Sequence, residues 1–441
     1  MWIAIALLVY IASTRIGQVR RPPALAIAWV LGLVLLPYLW LPLYVLFGRR
    51  KLKTRHRPLA VRSRAESHWA MAVIESFGLP PPSASDVRFH ADGEQAREAL
   101  WETIACAQQR LDVCTFLVAD DLLGRELIER LTRRAQEGVQ VRLMIDGAGI
   151  WLARHPSFRA LRQAGGQVAL FHPLFGLRQH GPRNLRNHRK FVLADDARLW
   201  SGGRNFAVEY FCGDSTGAVP WIDLSFDLTG TIAAEAARQF ELDWTHSHGI
   251  LPERVPDVFP AGVGPLAQFL PSGPDQPEDT AQLLLVAACF RAQQRLLAVT
   301  PYFVPDESLL TAMRLAARRG VRVTLVLPAV SNHRLADFAR GRALRALAEA
   351  GADIRLISRM VHAKAIVMDD ELAMCGSVNL DARSLLINYE SAVVFYGVTE
   401  IAWLARWIDA LATRGTPFVP RAASLWRDLA EGLLLITAFQ L

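Results

Sequence analysis

From Ala24 to Phe47 the chain runs for 24 residues without a charge. As a helix this stretch is about 36 Å long, enough for the roughly 30 Å hydrocarbon core of a bilayer. The pattern predicts a transmembrane helix, with Pro37 and Pro42 as kink sites and Trp29, Tyr38, Trp40 and Tyr44 as interfacial anchors. Met1 to Ser13 is a second apolar run, but at about 20 Å it is short for a full crossing. It fits a tilted partner span, completing a helical hairpin, or an interfacial helix. No basic residue precedes it and no small-x-small site follows it, which argues against a cleaved signal. Arg15, Arg20 and Arg21 lie between the two runs, whereas Arg49, Arg50, Lys51, Lys53, Arg55 and Arg57 follow the second. This bias places the large C-terminal body on the cytoplasmic side.

Beyond about residue 85 the pattern changes and then repeats. Ala107-Gln-Gln-Arg-Leu111 recurs as Ala292-Gln-Gln-Arg-Leu296, an offset of 185 residues. Gly138-Val-Gln-Val-Arg-Leu-Met-Ile-Asp146 parallels Gly320-Val-Arg-Val-Thr-Leu-Val-Leu-Pro328, and Arg159-Ala-Leu-Arg-Gln-Ala-Gly165 parallels Arg345-Ala-Leu-Ala-Glu-Ala-Gly351. Three blocks in one order at nearly one offset mark a duplication. In each half a helical pattern ends in Arg and Gly before a short β-branched run, then helix and strand alternate, which predicts an α/β layered unit. The resulting division is a membrane anchor (1–50), a basic juxtamembrane linker (51–84), a first half (85–251), a Pro- and Gly-rich connection (252–279) and a second half with a C-terminal apolar helix (280–441). Two copies predict a pseudo-twofold body with its site at the seam.

Composition narrows this picture. Apolar residues make up 52% of the chain and charged residues 21%, which excludes a disordered chain. The net charge of +7 favours an anionic partner without choosing one. The five cysteines form no C-x-x-C pair, which speaks against a zinc site or disulfide framework; they read as small buried hydrophobes.

The chemistry falls in matched positions of the two halves. His188-Arg-Lys190-Phe-Val-Leu-Ala-Asp195 leads to Gly202-Gly203-Arg204-Asn205, and His362-Ala-Lys364-Ala-Ile-Val-Met-Asp369 leads to Gly376-Ser377-Val378-Asn379. Both fit H-x-K-x4-D-x6-G-[GS]-x-N. Alternation along a strand puts His and Lys on one face. The turn at Gly203 or Ser377 lets backbone approach an oxyanion, and Asn205 and Asn379 add amides. Two copies offer two imidazoles to opposite sides of one phosphate, which suits a two-step displacement on a phosphodiester. Lys190 and Lys364 supply the positive charge that a metal would otherwise bring, so no metal and no cofactor is expected. An acceptor on each imidazole fixes its tautomer. Glu390 is the candidate for His362, and Asp223 for the first half, with Glu209 behind it. Asp195 and Asp369 belong to the catalytic motifs, at strand ends where they tie down local backbone.

The paired motifs resemble the phospholipase D superfamily and, within it, the bacterial cardiolipin synthases. The resemblance extends to Arg21-Pro-Pro-Ala-Leu-Ala-Ile-Ala-Trp29, Gln179-His180, Asn187-His188-Arg189-Lys190, Trp221-Ile-Asp223-Leu, Ser272-Gly273-Pro274, Thr300-Pro-Tyr302-Phe303-Val304-Pro305 and Gly376-Ser-Val-Asn-Leu-Asp-Ala-Arg-Ser384. It implies a duplicated α/β/α sandwich in the bacterial inner membrane. It also implies conversion of two phosphatidylglycerol molecules to cardiolipin and glycerol, with His188 as nucleophile and His362 as acid/base. Anionic membrane lipids are then the partners and nucleic acid is not; an oligomer is compatible with this organisation. Competing readings on the same scaffold are phosphatidylserine synthase, phospholipase D, a phosphatidylethanolamine-using synthase and a membrane-tethered nuclease.

Three further features bear on this reading. Arg178, His180, Arg183, Arg186 and Arg189 form a basic approach to the first motif, suited to an anionic headgroup. Tyr302 and Phe303 line a substrate groove or pack in the core. The tail from Phe418 to Leu441 carries Leu425-Trp426 and an apolar run at Leu433 to Ile436, suited to an interfacial helix or to packing on the body.

Overall fold

Each repeat unit builds seven main strands. In the first half these are β1 (Ser83–His90), β2 (Arg110–Thr115), β3 (Gln140–Asp146), β4 (Gln167–Phe171), β5 (Phe191–Ala194), β6 (Arg198–Gly202) and β7 (Ser225–Gly230). In the second they are β8 (Leu266–Ser272), β9 (Arg295–Val299), β10 (Arg322–Pro328), β11 (Asp353–Ile357), β12 (Ala365–Met368), β13 (Leu372–Gly376) and β14 (Glu390–Phe395). The computed structural model describes residues 3–4, 7–11, 23–48, 51, 68–173, 184–213, 219–248 and 264–436. Most of the expected linker, the 252–263 part of the connection, and Arg178, His180 and Arg183 lie outside the described residues.

The duplication read from the sequence is visible in the strand order. From one edge the sheet runs β4-β3-β2-β5-β6-β7-β1, then β8-β14-β13-β12-β9-β10-β11, with Thr416–Pro417 added at the far edge. Each strand of the second half thus mirrors its counterpart across the seam. The halves join where β1 and β8 pair antiparallel, Ser83 opposite Ala267 and Ala84 opposite Leu266. β5, β12 and β13 are continuous buried runs because both faces are covered. Val113 and Val192 face helices Gly93–Cys106 and Leu122–Gln136, while Cys114, Phe191 and Leu193 face helix Thr231–His248. The shared Arg-Gly signals end helices as expected. Gly138 and Gly320 both sit at φ +91° just before β3 and β10, a conformation that a side chain would strain.

Two expectations need correction. The uncharged stretch is not one span but two helices, Pro23–Leu35 and Pro37–Phe47. Leu36 is non-helical at φ −137°, ψ 63°, because the following proline disfavours the α conformation there. The second helix folds back on the first, so Trp29 meets Trp40 at 5.4 Å and Tyr44 at 5.1 Å. These rings pack on one another as the core of a hairpin, and Tyr10 joins them against Tyr44. Among the described residues no helix is long and apolar enough to cross a membrane. The cysteines also divide: Cys114, Cys289 and Cys375 are buried as expected, but Cys106 and Cys212 are exposed.

Candidate active site

The two H-x-K segments end the loops that lead into β5 and β12, so each imidazole sits at a strand mouth. The other half holds it there. His188 N donates to Tyr389 O (2.8 Å), and Tyr389 N donates to Arg186 O (2.9 Å). The mirrored contacts run from His362 N to Ile222 O (2.7 Å) and from Ile222 N to Met360 O (2.8 Å). The residue after Tyr389 is Glu390, and the residue after Ile222 is Asp223. This pairing therefore delivers each carboxylate to the opposite half's imidazole.

Both carboxylate oxygens of Glu390 lie 3.1 Å from His188 Nδ1, and Asp223 Oδ2 lies 2.8 Å from His362 Nδ1. Sequence reasoning assigned each carboxylate to the histidine of its own half; the pairs are crossed. The cause is topological. β7 and β14 are the strands next to the seam-forming β1 and β8, so the segments entering them reach over the seam. Glu209 takes no such role: its carbonyl accepts from Trp221 N (2.7 Å), and Glu390 fills the position considered for it. Phe116 packs edge-on to His188 at 5.4 Å, and Tyr210 packs edge-on to His362 at 4.9 Å.

Burial sets the electrostatics. It pushes His188 down to about 4 against the pull of Glu390, and His362 down to about 3 with Lys364 adding to the push. Lys364 also lowers His188 and Lys190 also lowers His362, so each half's cation acts on the other half's imidazole. Burial brings Lys190 to about 8 and Lys364 to about 7. For the carboxylates burial works the other way, yet the partner histidines and lysines hold Asp223 and Glu390 below their ordinary values. Near neutral pH the site thus combines neutral imidazoles with ionised carboxylates. Since each Nδ1 is committed to a carboxylate, Nε2 carries the reactive lone pair.

The lysines differ in placement. Lys190 Nζ donates to His188 O at 2.7 Å. Lys364 Nζ bonds His362 O and lies 2.9 and 3.0 Å from the two ring nitrogens of His362. His188 is 13% exposed by its side chain and His362 only 4%.

Other predicted residues occupy different roles. Gly203 and Ser377 do not offer backbone to an oxyanion. Their N–H groups donate to Leu224 O (3.0 Å) and Ser391 O (2.9 Å), because the turn continues the sheet. Both lie against the carboxylates that serve the imidazoles. A Cβ on Gly203 would lie 2.2 Å from Asp223 Oδ1, whereas the Ser377 hydroxyl donates to Glu390 at 2.5 Å. Asp195 and Asp369, the motif carboxylates, bond backbone. At φ 54° and 47°, each accepts three backbone N–H bonds, from Gln108, Gln109 and Arg110 or from Gln293, Gln294 and Arg295. They clamp the turn before β2 and β9, which explains the repeated Ala-Gln-Gln-Arg-Leu block. Asn205 Nδ2 meets the Tyr210 hydroxyl at 2.9 Å; Oδ1 of Asn205 and of Asn379 is buried without a protein partner among the described residues.

The described members of the basic approach turn inward. Arg186 donates to His172 O (2.9 Å) and Asp146 (3.3 Å), and Arg189 is wholly buried between Asp243 and Asp275. Both lack the exposure that headgroup attraction requires. Phe303 is core, and Tyr302 bonds Asn332 Oδ1 at 2.5 Å. Sequence reasoning missed Ser384 and Asn388, which donate to Glu390 at 2.7 and 3.3 Å. It also missed Asp146, which accepts from Asn187 N at 2.7 Å. An acid ending the apolar run of β3, where the repeat has Pro328, was the available signal for Asp146. No group of three or more His, Cys, Asp or Glu side chains is set to hold a metal ion among the described residues.

Comparison with known proteins identifies the family. Residues 100–244 and 285–412 match the family described as cardiolipin synthase, PLD-like domain, one match per half. The chain is 32% identical to cardiolipin synthase A of Pseudomonas aeruginosa (strain LESB58), over 93% of this chain and 89% of that protein. It is also 32% identical to cardiolipin synthase A of Pseudomonas entomophila (strain L48), over 83% of this chain and 81% of that one. The phosphatidylserine synthase of Haemophilus influenzae Rd KW20 shares the fold, with a TM-score of 0.63 over 83% of this chain and 96% of that chain at 14% identity. The chain therefore belongs to the cardiolipin synthase family, with a phospholipase D-like domain in each half.

Proposed function

We propose that this protein transfers a phosphatidyl group from one phosphatidylglycerol to a second, releasing glycerol and forming cardiolipin. The observation that carries this reading is the pair of imidazoles from the two halves, each backed by a carboxylate of the other and each beside a lysine. His188 is the nucleophile. The negative charge of the bound phosphodiester favours protonated His362; His188 Nε2 attacks phosphorus, and the bond from phosphorus to the glycerol headgroup oxygen breaks as His362 gives that oxygen its Nε2 proton and returns to the neutral form. His362 then takes the proton from a hydroxyl of the second phosphatidylglycerol. The resulting oxygen attacks phosphorus, breaks the P–N bond and frees His188. His188 suits attack because its ring is the more exposed, and its lysine bonds the backbone. In His362 the Lys364 ammonium lies beside both ring nitrogens, which suits a proton-handling role. The phosphodiester charge favours protonated Lys190 and Lys364, which stabilise the non-bridging oxygens. Asn205 contributes once its amide turns over, with Tyr210 donating to Oδ1 and Nδ2 free for a phosphate oxygen. The N-terminal hairpin holds the enzyme at the bacterial inner membrane, with the catalytic body on the cytoplasmic side.

The test is product analysis. The purified full chain, given phosphatidylglycerol alone, forms cardiolipin and glycerol in equal amounts by mass spectrometry, and EDTA does not slow it. Phosphatidic acid as the only product would replace the synthase with a hydrolase.

The crossed carboxylates yield a second expected result. Glu390→Gln lowers turnover by roughly 10²-fold, and Asp223→Asn by a similar factor, because each imidazole loses the acceptor that fixes its tautomer. Adding Glu390→Gln to His188→Ala costs nothing further, whereas adding it to a variant altered only at Asp223 does. Coupling of Glu390 to His362 in place of His188 in a double-mutant cycle would refute the crossed assignment.

A further inference from the structure

We propose that the mouth of this site is a membrane-docking surface, with an apolar rim from both halves inserted into an anionic bilayer. The inference rests on the reading that the site acts on a lipid.

The rim residues are Leu122, Trp151, Leu152, Val219, Val330 and Leu335, each more than half exposed. They sit where the strands of the site end. Trp151 and Leu152 follow β3, whose last residue, Asp146, holds the Asn187 backbone beside His188. Their helix starts at Gly149, where a Cβ would lie 1.8 Å from Phe116 O; the Phe116 ring lies against His188. Leu122 opens the helix that follows β2 and the Phe116 loop. Val219 lies two residues before Trp221, whose ring is 5.8 Å from that of His362.

In the second half Val330 and Leu335 follow β10, the counterpart of β3. Asn332 and His333 lie between them in sequence, and both touch Tyr302. The pseudo-twofold thus repeats an exposed apolar pair after the equivalent strand of each half, at the strand ends that carry the site. An exposed arginine accompanies each pair, Arg154 beyond Leu152 and Arg334 before Leu335. Apolar side chains next to cations match an interface of acyl chains and anionic headgroups.

An independent observation comes from the exit of the N-terminal hairpin. Lys51 Nζ donates to Gly273 O (2.8 Å), Gln276 O (3.1 Å) and Glu278 O (3.0 Å), and pairs with Asp279 (3.0 Å). Gly273 directly follows Ser272, which lies opposite Glu390 in the register of β8 and β14. The exit of the apolar hairpin is therefore tied to the body at the central strand ends that carry Glu390, the partner of His188. The exit of the hairpin and the rim therefore both lie at the strand ends that carry the site, where a bilayer that receives the hairpin meets them.

The full chain is tested in vesicles of phosphatidylglycerol and phosphatidylcholine carrying acyl chains brominated at known depths. Trp151 is expected to contribute to the quenched fluorescence, so Trp151→Phe reduces the quenched fraction. Quenching unchanged by that substitution overturns the proposal. In a variant with serine at positions 151, 152, 330 and 335, the ratio of turnover on bilayers to turnover on dispersed short-chain phosphatidylglycerol falls at least tenfold. An unchanged ratio overturns the proposal as well, and a ratio is insensitive to a general loss of folded enzyme. A parent protein that forms no cardiolipin, yet shows the Trp151-dependent quenching, refutes the catalytic reading and supports docking.

Discussion

Alanine at His188 or at His362 lowers cardiolipin formation by about 10⁴-fold or more, and the double substitution lowers it little further. The two imidazoles act in one sequence of bond changes, so removing either stops the sequence. They are not interchangeable, and a substrate with an acidic leaving group separates them. With a nitrophenyl phosphodiester the leaving oxygen needs no proton. His362→Ala then keeps the first displacement and accumulates phosphate on His188, seen as one equivalent of nitrophenol followed by slow turnover. His188→Ala gives no such burst. A burst from His188→Ala and none from His362→Ala would exchange the two roles. Two full-rate single variants would remove the two-histidine scheme altogether. The crossed carboxylates sharpen the expectation. Glu390 is buried and held by Ser377, Ser384 and Asn388, so it stays in place when His188 is lost. The residual rate in His188→Ala therefore reflects the missing Nε2 and not a collapsed site.

What could be read from the chain follows from what spacing encodes. His, Lys, Gly and Asn recur at one spacing in both halves, and a covalent spacing survives folding, so the motifs and the duplicated α/β body were legible. The partner of an imidazole is a different kind of property. Glu390 lies 202 residues from His188, and Asp223 lies 139 from His362. Only the register across the seam assigns them, and no local pattern carries that register. The repeated Ala-Gln-Gln-Arg-Leu block was visible, but its partner Asp195 lies 85 to 87 residues on, so its purpose was not. Hydropathy likewise reports where apolar residues are and not whether one helix contains them. The uncharged run at Ala24 to Phe47 was plain, while the break at Leu36 depends on the backbone restriction that Pro37 imposes. Arginine was the least legible residue. Its charge suggests an anionic ligand, yet a folded chain can satisfy that charge internally.

Arg189 shows the last point most fully, and its replacement by methionine destabilises the protein by about 3–5 kcal/mol. The guanidinium is wholly buried. Its NH1 bonds both oxygens of Asp243 at 2.5 and 2.7 Å, and its NH2 bonds those of Asp275 at 2.9 and 3.1 Å. Nε donates to the Glu390 carbonyl at 2.9 Å, and NH2 to the Ser272 carbonyl at 3.2 Å. One side chain thus joins the first motif to β8 and β14 of the other half. Methionine fills much of the volume but takes the countercharge from two carboxylates, which keep only amide donors from Asn187, Gln239 and Gln276, and one donor from two carbonyls, which is the costly way to break a buried pair. Lysine keeps a charge but not the planar fork, so Arg189→Lys recovers only part of the loss. The second half has Ala363 at this position, so nothing in the repeat compensates. Thermal and denaturant unfolding of the full chain in detergent measures the effect, with exposed Arg154→Met as the control expected within about 0.5 kcal/mol of the parent. Adding Asp243→Asn to Arg189→Met recovers stability, because it removes one of the stranded charges. A variant at Arg189 that unfolds like the Arg154 control would mean that Arg189 is not the seam's clamp. The link to chemistry is direct: Arg189 lies between His188 and Lys190 and bonds the Glu390 backbone, so a loosened seam also separates the nucleophile from the carboxylate that orients it.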